Sequence, residues 1–247
     1  MKYRTTVPGS LFMSLLLGAS ALALAQPDSS KGEVPEVGFV QRLNVQVPLN
    51  LPFVDEKGRV MELGDYFDGR RPVVLSLVFF TCPMLCGEIL NGVVEGLDGL
   101  SHDAGDKFRV LTVSFDPDDT PARASEKKQI YVQAYGRPGA ARGWHFLTGP
   151  EESIRALTDA VGFRYTYDPQ TDQFAHAAGL VILTPQGRVS RYLFGIEYPA
   201  KDLRFALLDA SENKIGSVVE QLLLLCYKYD PASGTYLSLI HISEPTR

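Results

Sequence analysis

Two cysteines four residues apart, Cys82 and Cys86 in Thr81-Cys82-Pro83-Met84-Leu85-Cys86, are the residues of this chain whose types and spacing best suit chemistry. On a helix that spacing puts their Cβ atoms about 5–6 Å apart on one face. Two thiolates so placed can grip one soft metal ion. The same separation is usual for a disulfide, so the spacing permits redox cycling as well. A plain structural disulfide fits less well, because a bridge stabilises most by closing a long loop and this one closes almost none. The pair falls where a buried strand gives way to a helix, and backbone N–H groups at a helix start favour the thiolate.

A metal on two thiolates usually takes a third ligand, and the chain offers four histidines. His102 falls in a polar turn and His145 inside a short strand, where a satisfied structural histidine is the expectation. His241 lies in an anomalous tail. His176 precedes an apolar strand and is expected in a loop that a sheet would bring beside the start of the cysteine helix, which makes it the candidate third ligand. Two thiolates and an imidazole suit Cu(I), Cu(II) or Zn(II), and the softness of sulfur favours copper. Cys226, in Leu222-Leu223-Leu224-Leu225-Cys226-Tyr227, reads as a buried apolar cysteine.

The elements that must position these residues are legible from periodicity. Residues 73–80 form an unbroken β-branched and aromatic run, the pattern of a strand buried on both faces. Leu85, Ile89, Val93, Leu97 and Leu100 then recur at helical spacing, predicting a helix over 83–100 with Pro83 in its first turn. A second buried strand is expected over 108–115, a polar helix from about 121 to 135, a short strand over 144–147, a helix over 151–161 and an extended piece over 163–167. Before them, Val54 and Val60 flank a turn composition and predict a small hairpin; after them, Thr184-Pro185-Gln186-Gly187 joins strands over 180–183 and 189–194, and a helix over 202–210 closes the domain. This order predicts an α/β domain of thioredoxin-like architecture: a mixed sheet with flanking helices and an N-terminal β-hairpin.

The chain resembles the Sco/SenC family of copper chaperones for cytochrome c oxidase assembly. The resemblance rests on Phe80-Thr81-Cys82-Pro83 with Cys86, on Val113-Ser114-Phe115-Asp116-Pro117-Asp118-Asp119-Thr120-Pro121, on Trp144-His145-Phe146-Leu147-Thr148-Gly149, and on His176 ahead of Leu180-Val181-Ile182-Leu183-Thr184-Pro185-Gln186-Gly187. It covers residues 49–209. It implies Cys82, Cys86 and His176 as ligands of one copper ion and the binuclear copper site of oxidase subunit II as partner. Two positions depart from the pattern: Gly87 stands where members often have Pro, and Ala175 where they often have an acidic residue. A ligating imidazole usually donates its other N–H to an oriented acceptor, and Asp172 is the nearest acidic candidate in sequence. Asp116 and Asp119 match the family's acidic segment, and helix capping is the favoured reading of both over a role at the site's rim. The rival function is a thiol:disulfide oxidoreductase of the cell envelope, with Cys82 and Cys86 as the redox pair. Such enzymes carry one residue fewer between their cysteines, and a cis-proline where this chain has Ala177-Ala178. A peroxiredoxin-type peroxidase would need a single attacking cysteine.

The chain's 247 residues, 45% apolar and 21% charged, suffice for one good-sized core. The net charge of −5, without basic stretches interleaved with aromatics, excludes the footprint of a nucleic-acid binder. Lys2 and Arg4, an apolar run and Ala23-Leu24-Ala25 make residues 1–25 a signal peptide, the run being short of the roughly 20 apolar residues that span a bilayer. Export implies a bacterial periplasm or cell envelope. Residues 26–48 read as a linker and 49–210 as the domain. Residues 237–247, LSLIHISEPTR, resemble a sequencing-adapter translation, so that 211–236 would lead into a C-terminal inner-membrane anchor absent from this sequence.

Overall fold

Val73–Val78 (β4), every residue buried, pairs in parallel with Arg109–Ser114 (β5), and Arg109–Ser114 with Trp144–Thr148 (β6). In this computed structural model, which describes residues 37–82, 85–216, 227–230 and 235–238, these strands sit at the middle of a seven-stranded mixed sheet. Its order is Val189–Phe194 (β10), Gly179–Leu183 (β9), β4, β5, β6, Pro52–Asp55 (β2) and Val60–Glu62 (β3). Strands β9 and β10 form the predicted hairpin antiparallel to β4, and β2 with β3 forms the N-terminal one. The β2–β3 turn is closed by Asp55, whose carboxylate accepts from the Lys57 and Arg59 N–H groups, both at 2.9 Å, while Gly58 takes the left-handed φ of +78° that the turn requires.

The cysteine helix runs Leu85–Asp98 (α1) and buries Cys86, Ile89, Leu90, Val93 and Leu97. Pro83 lies outside the described residues. Pro121–Tyr135 (α2) lies on β6 and touches α1, and Ala200–Ser211 (α5) packs on α1, β9 and β10. The approach of α1 to the β10–α5 connection is very close, since a Cβ on Gly92 would lie 1.8 Å from the Ile196 carbonyl oxygen. Only glycine fits there.

Glu151–Ala160 (α4) packs against Phe163–Asp168 (β7), which pairs with Gly38–Phe39 (β1) and Gln173–His176 (β8) in a second, three-stranded sheet. This sheet corrects two expectations. Residues 38–48 are no linker, because Phe39 packs on Phe163, Tyr192 and Phe194 and Val47 is fully buried. His176 ends a strand rather than sitting in a loop, held opposite Tyr165 by the β7–β8 register. A single helical turn, Ala140–Gly143 (α3), also went unpredicted.

Among the described residues no helix is long and apolar enough to cross a membrane. Beyond α5, Tyr227–Asp230 (β11) pairs antiparallel with Thr235–Ser238 (β12), setting Lys228 opposite Leu237. Cys226, His241 and residues 1–25 lie outside the described residues.

Candidate metal centre

The chain leaves β4 with Phe79 and Phe80 still buried, turns back at Thr81, and enters α1, so Cys82 sits on the turn and Cys86 on the first turn of the helix. The turn is held from both sides. Cys82 N–H donates to the Phe79 carbonyl at 3.3 Å, and Cys82 Sγ accepts from Cys86 N–H at 3.4 Å. Phe79 N–H in turn points at Cys86 Sγ, 3.4 Å away. Neither cysteine is in a disulfide.

His176 arrives from β8 with its Nε2 3.3 Å from Cys86 Sγ. Its Nδ1 lies 3.0 Å from the Ala177 carbonyl oxygen. A carbonyl can only accept, so Nδ1 carries the proton and Nε2 turns its lone pair towards the sulfur. The rings of Phe79, Phe115 and Phe163 pack around the imidazole, with centroids 5.1 to 6.2 Å away, and fix its plane. Cys82, Cys86 and His176 thus bring two sulfurs and a nitrogen within 4.8 Å of one another, which is the ligand set expected from the sequence.

Ala177, not Asp172, supplies the acceptor that orients the imidazole. Asp172 instead accepts from the Tyr167 hydroxyl at 2.8 Å on the surface. Ala175 is exposed while its strand neighbour His176 is buried, so a carboxylate at 175 would point away from the ring. At Gly87 a Cβ would have the Tyr131 hydroxyl as its nearest neighbour, 3.9 Å off. The other described histidines lie elsewhere: His102 is exposed and 3.5 Å from Asp106, and His145 sits beside Glu56 with Nε2 3.1 Å from the Arg142 carbonyl.

Capping fails as the role of the acidic segment. The cap of α2 is Thr120, whose hydroxyl accepts from Arg123 N–H. Asp119 is buried and its Oδ2 accepts from Phe80 N–H at 2.6 Å and from the Ser114 hydroxyl at 2.5 Å, tying the end of β4 to the β5–α2 loop just before Cys82. Asp116, its pKa raised by burial, accepts from Asp118 N–H and lines a cleft of about 730 Å³ shared with Phe79, Phe115 and Phe174.

The expectation of easy thiolate formation is overturned at Cys86. Burial, followed by the hydrogen bond and charge of the Cys82 sulfur, pushes the Cys86 thiol well up, and the Phe79 N–H offsets this only in part. Cys86 is therefore a neutral thiol whose proton a metal ion would displace, whereas half-exposed Cys82 meets solvent.

A family model described as SCO1/SenC matches residues 46–206. Among solved structures, a protein of Aquifex aeolicus VF5 is 25% identical over 70% of this chain and 96% of its own, with a TM-score of 0.61. BsSco, described as a member of the Sco family of cytochrome c oxidase assembly proteins, is 21% identical over 71% and 99%, with a TM-score of 0.54. Bradyrhizobium japonicum ScoI, solved with copper bound, is 20% identical over 66% and 96%, with a TM-score of 0.50. No curated protein matches the chain.

Proposed function

The chain belongs to the SCO1/SenC family, and from that premise we propose that it is an exported copper chaperone which binds one copper ion at Cys82, Cys86 and His176. The observation that carries this reading is the convergence of two sulfurs and one imidazole nitrogen within 4.8 Å. Sulfur-rich, low-coordinate sets prefer copper to harder ions. Copper here is cargo, and the site is suited to cargo: His176 and Cys86 are buried and prealigned, while Cys82 is accessible enough for an incoming thiolate to compete for the metal.

The recipient in this reading is the binuclear copper site of cytochrome c oxidase subunit II, to which the chain delivers copper or whose thiols it keeps reduced. The N-terminal sequence supports export to the bacterial periplasm or cell envelope, and the apolar and aromatic composition of residues 222–229 supports a tether at the inner membrane. The alternative of a general thiol:disulfide oxidoreductase has less support. The raised Cys86 thiol is a poor resolving nucleophile, and the position facing the pair is taken by an imidazole anchored on the Ala177 carbonyl.

Copper-loaded protein mixed with the isolated copper domain of subunit II tests the delivery. The metal is expected to move to the acceptor, seen as the rise of the acceptor's own absorption bands. Copper retained by this chain while it reduces an oxidised acceptor would assign the thiol role instead, and neither event would sink the subunit II partnership.

A further inference from the structure

At the opposite end of β4 from the cysteines lies a cleft of about 910 Å³ between the approach to β4, the α1–β5 loop and α5. Arg70, Lys107 and Arg204 line it, and no ion pair among the described residues engages any of them. The one carboxylate on its wall, Asp106, faces His102 at 3.5 Å, and Arg71 is already held by Asp68. The rim is apolar: Phe205 is 43% exposed and Leu208 52%, the Arg204 guanidinium lying over the Phe205 ring.

The sequence of α5 explains this face. Leu203, Ala206, Leu207 and Ala210 point into the core, which leaves Lys201, Arg204, Phe205 and Leu208 together at i, i+3, i+4 and i+7 on the outer side. A helix with exposed Phe and Leu flanked by Lys and Arg is the arrangement that lies in a bilayer interface. The face is cationic although the chain as a whole carries −5, so its charge is local and complementary to an anionic surface.

We infer that the α5 face and its cleft dock the domain on an anionic phospholipid surface, with Arg70, Lys107 and Arg204 on headgroup phosphates and Phe205 and Leu208 below them. The six residues of β4 span about 20 Å, so docking there turns Cys82 and Cys86 away from the lipid and towards an extramembrane partner.

Co-sedimentation of the full chain with phosphatidylglycerol-containing vesicles and with pure phosphatidylcholine vesicles tests this. Binding should require the anionic lipid and fall steeply at about 1 M salt, where screening shortens to roughly 3 Å. Each basic side chain near such a surface is worth about fivefold in partitioning, so Arg70→Gln/Lys107→Gln/Arg204→Gln should lose about a hundredfold. Phe205→Ser/Leu208→Ser should weaken binding at low salt and also remove what binding persists at about 1 M. Copper binding by these variants should be unchanged, which separates this inference from the proposed function. Equal binding to neutral vesicles, no binding, or undiminished binding of the charge variant overturns it, as would self-association that only Phe205→Ser/Leu208→Ser abolishes, since the face would then belong to a second copy.

Discussion

The Nε2 of His176 stands 3.3 Å from the Sγ of Cys86, a residue ninety positions earlier in the chain. Two independent devices create that contact: β8 pairing brings the histidine, and the β4–α1 turn brings the cysteine. With Nδ1 committed to the Ala177 carbonyl, the nitrogen that faces the sulfur is the one with a free lone pair.

His176→Ala should therefore weaken copper binding by more than the roughly 10–100-fold typical of losing an outer partner of a ligand. His102→Ala and His145→Ala should leave it unchanged, because neither ring reaches the cluster. Isothermal titration of the three variants checks this, and an equal loss in all three would mean that the imidazole is not a ligand.

Asp119→Ala should destabilise the domain by about 2–4 kcal/mol, since it leaves the buried Phe80 N–H and Ser114 hydroxyl without an acceptor. It should also lower copper affinity, because the strand end leading to Cys82 loses its tie. Asp119→Asn, which keeps one acceptor oxygen, should recover most of both. Urea unfolding and metal titration read the two effects separately.

Glu56, which is no member of the Cys82, Cys86 and His176 cluster, supplies a pH dependence of its own. Burial alone would raise its pKa, but His145 beside it and the Lys128 ammonium at 2.5 Å outweigh burial and hold it at about 2, below its ordinary 4.5. A depressed carboxylate pKa stabilises the fold above 4.5, and that contribution disappears as pH falls from 4.5 through about 2. The shift corresponds to on the order of 3 kcal/mol. Glu56→Gln should be less stable at pH 7 and show a flatter stability profile below pH 4.5 in chemical denaturation. An unchanged acid limb would place the sensitivity elsewhere.

Gly92→Ala should lower the melting temperature by several degrees, because a methyl group 1.8 Å from the Ile196 oxygen forces α1 off the β10–α5 connection. An unchanged melting temperature in calorimetry would show that this contact yields without cost.

The long elements were legible because their patterns are continuous. The apolar run of β4, the helical spacing of α1 and the Pro-Gln-Gly turn between β9 and β10 each specify one local structure. The short Gln173-Phe174-Ala175-His176 strand carries no such pattern, and its pairing with β7 decides where His176 points. In Asp119-Thr120-Pro121 both polar residues are able to cap α2, and only the nearness of Phe80 N–H diverts Asp119 to another task. The raised pKa of Cys86 is not legible in the same way, because a helix start is visible in sequence and the packing that buries a thiol there is not. Cys82, Cys86 and His176 were legible as candidates, being the residue types with the fewest uses other than metal at that spacing.

Copper titration of the reduced protein, set beside Cys82→Ser/Cys86→Ser, addresses the central claim most directly. The account predicts about one copper ion per chain, with thiolate-to-Cu(II) charge-transfer absorption on adding oxidised copper, and the loss of both in the double variant. The same stoichiometry and the same spectrum in the double variant would contradict it.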